Sequence, residues 1–262
     1  METLKILTDF YSGYDEENRL RSKHGMVEFL TTMRYIEKYL KPGMRILEVG
    51  AATGRYSHAL AQKDYQVDAV ELVQYNIDIF LEKTQPGEKV SIRQGDAREL
   101  SCFADDTFDM TLILGPMYHL FTVEDQKQAL REAIRVTKKG GMIFAAYCGN
   151  EATMVQYCFG RGMIRQERYR NLIDPVTFKA SSDPAELFEL YRREDIDALM
   201  ANFDVERLHY VGTDMATNYM RDVVDNMDDE LFELYLRYHF SICERADCVG
   251  TSHHILDVFR KA

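Results

Sequence analysis

Short apolar runs alternate with amphipathic runs from residue 27 onward, and this alternation constrains the fold more than any other feature of the chain. The strand-like runs are residues 44–49, 66–70, 89–93, 109–114 and 142–147. A capping box at Thr122 opens the helix before the fifth run, and Gly140-Gly141 is expected to end that helix. Strands that alternate with helices form a parallel sheet through right-handed crossovers, with helices on both faces. The sequence therefore predicts a doubly wound α/β fold.

The alternation is interrupted twice after residue 147. Residues 148–192 and 214–250 contain helix-compatible stretches without a clear strand, and strand-like runs return at 203–211 and 252–259. Both interruptions leave the carboxyl end of a predicted parallel strand, which is the edge where open α/β sheets bind ligands. We therefore expect a single domain over residues 1–262, in which both insertions form a helical cap above a site. The predicted core comprises residues 27–147, 193–213 and 251–262.

Composition and charge argue against several classes of protein. The chain has 262 residues and a formal net charge of −11, which disfavours a nucleic-acid partner. Its longest apolar run, residues 142–148, is far shorter than the roughly 18 residues of a membrane span, and no signal peptide is visible. The cysteines form no Cys-x-x-Cys pair, so we expect reduced thiols in a soluble cytoplasmic protein without a membrane partner. These cysteines are Cys102, Cys148, Cys158, Cys243 and Cys248.

The strongest local signal is the small-residue turn EVGAATG at residues 48–54, between a predicted strand and a predicted helix. Small residues let the backbone approach a ligand closely, and the start of a helix offers free N–H groups. Dinucleotide-binding turns of the form G-x-G-x-x-G place their outer glycines further apart than Gly50 and Gly54. The carboxylate of Glu48 would also repel a pyrophosphate, whereas it suits a cationic ligand. The turn therefore disfavours an NAD(P)-dependent oxidoreductase.

Two further acidic residues follow the next two predicted strands. Glu71 ends the strand over residues 66–70, at the position where doubly wound folds hydrogen-bond a ribose diol. Asp96 follows the third strand and is placed to accept a hydrogen bond from an exocyclic amino group. The alternative for each is an ordinary solvated turn residue. Their combination with the glycine turn favours a binding role.

Three acidic strand ends, with a glycine turn at the first, resemble the class I S-adenosylmethionine-dependent methyltransferases of the ubiquinone/menaquinone-methylase-like type. The resemblance covers residues 27–147 well and the two closing strands in outline. It implies a Rossmann-like, seven-stranded, mostly parallel sheet with an antiparallel last strand and helical cap insertions. It also implies S-adenosylmethionine as the cofactor. The sequence departs from the family at Ala52, which replaces the usual middle glycine of the turn.

The resemblance implies contacts between the cofactor and particular residues. Glu48 would orient the turn, Glu71 would hold both ribose hydroxyls, and Asp96 would accept a hydrogen bond from the adenine amino group. Leu72 would lie against the adenine, and the Ala97 N–H would donate to the ring. The remaining implied cofactor-binding residues are Gly50, Ala51, Ala52, Gly54, Leu114 and Gly115.

Residues 114–120, LGPMYHL, follow the central strand at the place where methyl transfer occurs in this family. They resemble a Gly-Pro-Leu-Tyr-His-Leu stretch of a bacterial subgroup and lack the Asn/Asp-Pro-Pro-Tyr/Phe motif of methylases that act on nucleic-acid amino groups. His119 is the candidate general base, with a structural histidine as the alternative. Tyr118 would line the pocket or bond the acceptor. We therefore predict a methyltransferase for a small-molecule acceptor, and a non-catalytic cofactor-binding regulator or scaffold is the alternative.

The N-terminal stretch from Tyr11 to His24 resembles a segment that folds over the cofactor in related enzymes, so we expect residues 1–26 to form a lid. The candidate lid residues are Tyr14, Arg21 and His24. A basic cluster in the first insertion would either meet an acidic substrate group or form a solvated helix face. It consists of Arg161, Arg165, Arg168 and Arg170. His253 and His254 are adjacent in a predicted strand, so their side chains are expected on opposite faces and no metal site is predicted.

Overall fold

Helices and strands alternate along the chain in a computed structural model that describes residues 2–14, 16–182, 184 and 188–262. Residues 1 and 15 of the predicted lid, and 183 and 185–187 of the predicted cap, lie outside the described residues. The strands are β1 (Arg45–Val49), β2 (Gln66–Glu71), β3 (Val90–Gln94), β4 (Phe108–Ile113), β5 (Thr137–Gly149), β6 (Leu190–Tyr191), β7 (Val205–Gly212) and β8 (His254–Lys261). The α-helices are α1 (Glu2–Gly13), α2 (Glu16–Arg19), α3 (Lys23–Tyr39), α4 (Arg55–Ala61), α5 (Gln74–Lys83), α6 (Val123–Val136), α7 (Asn150–Thr153), α8 (Glu167–Arg170), α9 (Arg193–Met200), α10 (Arg221–Asp225) and α11 (Asp229–Ile242).

A single sheet organises these elements. Its strand order is β3-β2-β1-β4-β5-β8-β7, and the two-residue β6 pairs with β5 beside this path. Strands β1 to β5 run parallel, whereas β8 runs antiparallel to both β5 and β7. The predicted doubly wound, mostly parallel sheet with an antiparallel last strand is confirmed. The short β6 was not predicted, because a strand of two residues is too short to show hydrophobic periodicity.

The boundary between α6 and β5 differs from the prediction. The helix ends and the strand begins before Gly140-Gly141, so these glycines lie inside β5 rather than at the end of the helix. Thr137 pairs with Phe108 of β4, and regular pairing resumes only at Met142. Gly140 adopts a φ of +73° in the irregular segment between them, a conformation that costs glycine little. The Gly-Gly pair therefore marks an irregularity in the strand.

Side chains alternate between the two faces of the sheet, and helices cover each face. Ile46 and Phe144 belong to the apolar cluster that includes residues of α3 and α4. Their neighbours Leu47 and Ile143 belong to the cluster that includes residues of α6 and α9. All four side chains are fully buried. Burial on both faces explains why the central strands are apolar almost throughout.

The carboxyl ends of the parallel strands meet at one edge of the sheet. The first insertion follows β5, and the second follows β7, which has the same direction as β5 because β8 is antiparallel to both. Both insertions therefore leave the sheet at this edge. No helix of the described part of the chain is long and apolar enough to cross a membrane.

Candidate functional site

The carboxyl ends of β1, β2 and β4 surround a cavity of about 500 Å³, which we call the first cavity. Glu48 and Glu71 line it from the strands, and Leu7 and Tyr11 of α1 line it from the N-terminal side. This volume is typical of sites for small ligands and cofactors. The predicted cofactor-binding residues in its lining are Glu48, Gly50, Ala51, Ala52, Glu71, Leu72, Asp96, Ala97, Leu114 and Gly115.

The turn after β1 adopts backbone conformations that require small residues. Gly50 has a φ of +74°, and a β-carbon built on it would lie 2.6 Å from the ring of Pro116. Ala52 has a φ of +46°, so the residue that replaces the usual middle glycine is in the left-handed region. Gly54, with a φ of +84°, precedes α4 and contacts Phe80 instead of lining the first cavity. Gly54 therefore shapes the turn, in contrast to the cofactor contact that the resemblance implied.

Glu71 is buried at the end of β2, and its carboxylate organises the backbone around the first cavity. It accepts hydrogen bonds from the N–H groups of Ala52 at 2.8 Å and Val73 at 2.9 Å. Burial raises the pKa of the Glu71 carboxyl above its ordinary value in spite of these donors. A ligand that brings positive charge or hydroxyl donors into the cavity would offset this desolvation.

Glu48 is a second buried acidic residue of the first cavity. The hydroxyl of Ser57 donates to its carboxylate and so connects the end of β1 to α4. Burial raises the pKa of Glu48 to about 8, against the effect of the hydrogen bonds from Ser57. Among the described residues, no lysine or arginine forms an ion pair with Glu48 or Glu71. Two buried acidic groups that form no ion pair with a lysine or arginine in the described part of the chain match a cationic ligand.

The raised pKa of Glu48 makes the free protein less stable as the pH rises. Between the ordinary pKa of 4.5 and about 8, the folded protein holds a proton that the unfolded chain has lost. Stability that is present at about pH 4.5 is therefore lost towards pH 8. We expect Glu48→Gln to reduce this loss in urea unfolding curves recorded without cofactor. The exposed Glu82→Gln is the control, and wild-type and Glu48→Gln curves that respond identically to pH would contradict the assignment.

Asp96 lines the first cavity and is held by Arg98. The Nε and Nη2 of Arg98 donate to its two carboxylate oxygens at 3.0 Å and 2.6 Å. Although burial opposes the change, these hydrogen bonds lower the pKa of Asp96, which is therefore an ionised acceptor at neutral pH. Leu72 and Ala97 line the same cavity. The structure thus brings together the three residues that the resemblance places around the adenine.

Two buried polar atoms of residues that line the first cavity have no hydrogen-bond partner within the described part of the chain. They are Nε of Arg55 and Oδ1 of Asn76. A buried polar atom without a partner costs about 1–3 kcal/mol, so a bound ligand is expected to satisfy both. A guanidinium suits a carboxylate, and an amide oxygen suits a hydroxyl or amino donor. Sequence reasoning missed both residues, because each lies in the first turn of a helix outside any motif that it used.

A second cavity, of about 540 Å³, adjoins the first. Phe10 of α1 and Tyr14 just after this helix line it from the N-terminal side. Tyr157 and Phe188 line it from the first insertion, and Asn218 lines it from the second. The rings of Phe10 and Tyr14 stack with centroids 5.1 Å apart. The two cavities have a wall in common, which we call the shared wall. Its residues are Tyr11, Glu16, Arg19, Glu28, Tyr118 and His254.

Tyr11 and His119 meet at the shared wall. The hydroxyl oxygen of Tyr11 lies 2.9 Å from Nε2 of His119, and His119 lines the first cavity. Burial, together with the nearby Glu16 carboxylate, raises the pKa of Tyr11 well above its ordinary value. Burial also raises the pKa of Tyr118, so both phenols remain protonated at neutral pH. Sequence reasoning missed Tyr11, since it is 108 residues from His119 and no motif links them.

The predicted lid residues occupy different positions. Tyr14 and His24 line the second cavity, and Nδ1 of His24 lies 2.7 Å from a carboxylate oxygen of Asp225 in the second insertion. Arg21 forms an ion pair with Glu17 and lines neither cavity. The structure therefore places two of the three predicted lid residues at the second cavity.

The basic cluster of the first insertion is also divided. Arg161 lines the second cavity, and its guanidinium lies 4.7 Å from the centre of the Tyr157 ring. Arg165, Arg168 and Arg170 are exposed and line neither cavity. The alternative of a solvated face therefore applies to these three arginines. Of the cluster, Arg161 is the residue placed to contact a ligand in the second cavity.

His253 and His254 do not lie on opposite faces of a strand. Strand β8 begins at His254, so His253 precedes it and the strand alternation that predicted opposite faces does not apply. The two rings are nearly perpendicular, with centroids 4.5 Å apart. One ligand atom from each histidine and one from Asp214 all lie within 4.8 Å of one another. The geometric argument against a metal site at this pair is therefore wrong.

Comparisons with known proteins relate part of the chain to methyltransferases. Residues 46–141 match the family model of a methyltransferase domain. The chain is 34% identical over 143 residues to the demethylmenaquinone methyltransferase of Lysinibacillus sphaericus. This alignment covers 53% of this chain and 58% of that relative. It is 28% identical over 189 residues to the demethylmenaquinone methyltransferase of Clavibacter sepedonicus, with 71% of each chain covered. The chain spans about half the length of the first curated relatives that it matches.

A solved structure has the same fold as this chain. It is the crystal structure of an S-adenosylmethionine-dependent methyltransferase from Thermotoga maritima, described as a possible histamine N-methyltransferase. The TM-score is 0.59 at 17% identity, and the alignment covers 99% of this chain and 100% of that chain. The family match and the lining of the first cavity identify the cofactor as S-adenosylmethionine. Residues 46–141 therefore match a methyltransferase domain, and the chain as a whole has the fold of solved S-adenosylmethionine-dependent methyltransferases.

Proposed function

We propose that the protein transfers a methyl group from S-adenosylmethionine in the first cavity to a small-molecule acceptor in the second. The shared wall is the observation that carries this proposal, because a methyl donor and its acceptor must be held at short distance in a fixed orientation. When bound, the cofactor supplies an electrophilic methyl group on a positively charged sulfur. The protein then has to bind both molecules, orient them and exclude water.

The residues around the first cavity are suited to bind the cofactor. Glu71, with its raised pKa, gains from a ligand that brings hydroxyl donors or positive charge, and Glu48 adds a second acidic group. Asn76 and Arg55 offer polar atoms that have no hydrogen-bond partner among the described residues. The ionised Asp96 offers an acceptor for the adenine amino group. Binding would thus satisfy buried groups that the free protein leaves poorly solvated.

The acceptor is proposed to be a planar aromatic molecule. The second cavity is lined by stacked and edge-on aromatic rings, among them Phe10, Tyr14 and Phe188, which favour a flat apolar ligand. Its volume of about 540 Å³ is large enough for a drug-sized molecule. Two of the relatives are named for methylating demethylmenaquinone, which supports a ring-containing acceptor here.

Proton removal is assigned to the pair of Tyr11 and His119. The imidazole of His119 is the group of this pair whose ordinary pKa lies near neutrality, so it is the proposed proton acceptor. Tyr11 remains a neutral phenol and holds the imidazole by their hydrogen bond. Tyr118, which lines both cavities, is proposed to bond or pack against the acceptor. Positioning supplies most of the rate acceleration, because the sulfonium is already a good leaving group.

The proposal includes an arrangement of parts within one domain, residues 1–262. Residues 1–26 act as a lid, and residues 148–192 and 214–250 form the cap over the second cavity. This arrangement is supported by the lining of both cavities, to which the proposed lid and cap contribute. Free cysteine thiols fit the reducing cytoplasm, where we place the protein. The net charge of −11 supports an acceptor other than nucleic acid.

Transfer of a labelled methyl group tests the proposal. The purified chain is incubated with S-adenosylmethionine labelled in the methyl group and with the small-molecule fraction of a bacterial extract. We expect label in a small molecule, and its loss when the chain carries Glu71→Ala. Tight binding of S-adenosylhomocysteine without any labelled small molecule would instead indicate a non-catalytic cofactor-binding protein.

His119→Ala is expected to lower kcat by about 10²-fold while the Kd for S-adenosylhomocysteine changes by less than about twofold. The reason is that His119 is proposed to act on the acceptor and its proton. Tyr11→Phe removes the hydrogen bond to His119 and is expected to cause a smaller fall in kcat. Steady-state kinetics and calorimetry measure the two effects separately. An unchanged kcat in His119→Ala would mean that His119 has only a packing role.

A further inference from the structure

Four side chains that commonly bind metal ions converge beside the second cavity. Nδ1 of His254 lies 2.8 Å from Oδ2 of Asp214 and 3.2 Å from Oε2 of Glu28. His253 contributes a nitrogen within 4.8 Å of the ligand atoms of Asp214 and His254. Metal–ligand bonds of ~2.0–2.1 Å separate neighbouring ligand atoms by about 3.3 Å in a tetrahedral site. The distances at His254 therefore approach those of a coordination shell.

A protonated His254 between the carboxylates of Asp214 and Glu28 would explain the two short distances from its Nδ1. It would not explain the environment of the His253 ring. Nδ1 of His253 is buried and has no hydrogen-bond partner among the residues that the structure describes. A buried nitrogen without a partner is costly and calls for a ligand. A metal ion that binds Nδ1 of His253 together with a nitrogen of His254 would give this buried atom a partner and would take the place of the proton on His254.

Surrounding contacts hold the two carboxylates in position. Oδ1 of Asp214 accepts hydrogen bonds from Oγ of Ser252 at 2.7 Å and from the backbone N–H of His253 at 2.8 Å, so that Oδ2 is directed to His254. Arg19 donates two hydrogen bonds to Glu28, at 2.8 Å and 3.2 Å. Outer contacts of this kind orient the ligands in metal sites.

We propose that Asp214, His253 and His254, with Glu28 as a further oxygen ligand, bind a divalent transition metal ion of the Zn²⁺ type. Two imidazoles with carboxylates favour this class of ion over Mg²⁺ and Ca²⁺, which prefer oxygen ligands alone. All four side chains line the second cavity, so a bound ion is placed to contact an oxygen of the acceptor. That consequence rests on the proposed function, whereas metal binding itself does not.

Direct titration tests the site. The full chain, without an affinity tag and after treatment with a chelator, is titrated with Zn²⁺ by calorimetry and with Co²⁺ by visible absorption. We expect saturable binding of a single ion per chain and Co²⁺ absorption bands typical of nitrogen and oxygen ligands. His253→Ala and Glu28→Gln are each expected to weaken binding at least about tenfold. His209→Ala is the matched control, because it removes a histidine paired with Glu244 outside both cavities.

The outcomes separate the alternatives. Absence of saturable binding, or equal affinity in wild type and His253→Ala, overturns the site. If circular dichroism shows that His253→Ala does not fold, Glu28→Gln decides by the same criterion, since glutamine still accepts a hydrogen bond from Arg19. The titration needs neither cofactor nor acceptor. A protein that binds no metal can therefore still transfer a methyl group in the labelling assay. A protein that transfers no methyl group can likewise still bind the metal in the titration.

Discussion

Replacing Glu71 with alanine is expected to weaken the binding of S-adenosylhomocysteine by about 30-fold, or ~2 kcal/mol. The substitution removes the proposed charge-assisted hydrogen bonds to the ribose hydroxyls. It also leaves the N–H groups of Ala52 and Val73 without their acceptor, so the turn that surrounds the ligand loses its support. Isothermal titration calorimetry on wild type and variant measures the effect directly.

Two comparison variants sharpen this test. Glu71→Gln keeps an oxygen acceptor for one of the two backbone donors but loses the charge, so we expect an affinity between those of wild type and Glu71→Ala. Glu82→Ala removes an exposed carboxylate from the end of α5, the helix that follows Glu71, and should leave the Kd unchanged. Equal affinities for wild type and Glu71→Ala would refute the role of Glu71 in cofactor binding.

Gly54→Ala is expected to destabilise the protein by about 3 kcal/mol, which combines left-handed backbone strain with overpacking. Gly54 has a φ of +84°, and a β-carbon there would lie 2.4 Å from the ring of the fully buried Phe80 and 2.9 Å from His58. For a chain of this size, the loss corresponds to a decrease in Tm of about 10 °C. Cofactor affinity should also fall, because the turn after β1 would have to move.

The control for this substitution is Gly250→Ala. A β-carbon on Gly250 would meet no atom of the described residues within 4 Å, and the φ of Gly250 is not in the left-handed region. We therefore expect no loss of stability, or a gain of up to about 1 kcal/mol from the lower entropy of the unfolded chain. Differential scanning calorimetry with and without S-adenosylhomocysteine compares both variants. A wild-type Tm in Gly54→Ala would mean that the turn tolerates a side chain.

The first cavity was largely predictable because its residues follow the ends of successive strands. In a parallel sheet, the carboxyl ends of neighbouring strands meet at one edge, so Glu48, Glu71 and Asp96 could be grouped from the order of the strands alone. Their positions depend on backbone topology, which hydrophobic periodicity reveals. Gly54 was the exception, since spacing within a turn does not indicate whether a residue faces the ligand or the helix behind it.

The amino-acid sequence by itself determined the doubly wound sheet, the position of the glycine turn after β1 and the acidic residues at the strand ends. Only the tertiary structure decided that Tyr11 reaches His119 and that His253 and His254 converge. It also decided that Arg55 and Asn76 carry buried atoms with no partner in the part of the chain that the structure describes. The physical reason is a difference in range. Periodicity and turn chemistry act over a few neighbouring residues, whereas these contacts depend on how the N-terminal helix, the starts of other helices and a strand terminus pack together across the same edge of the sheet.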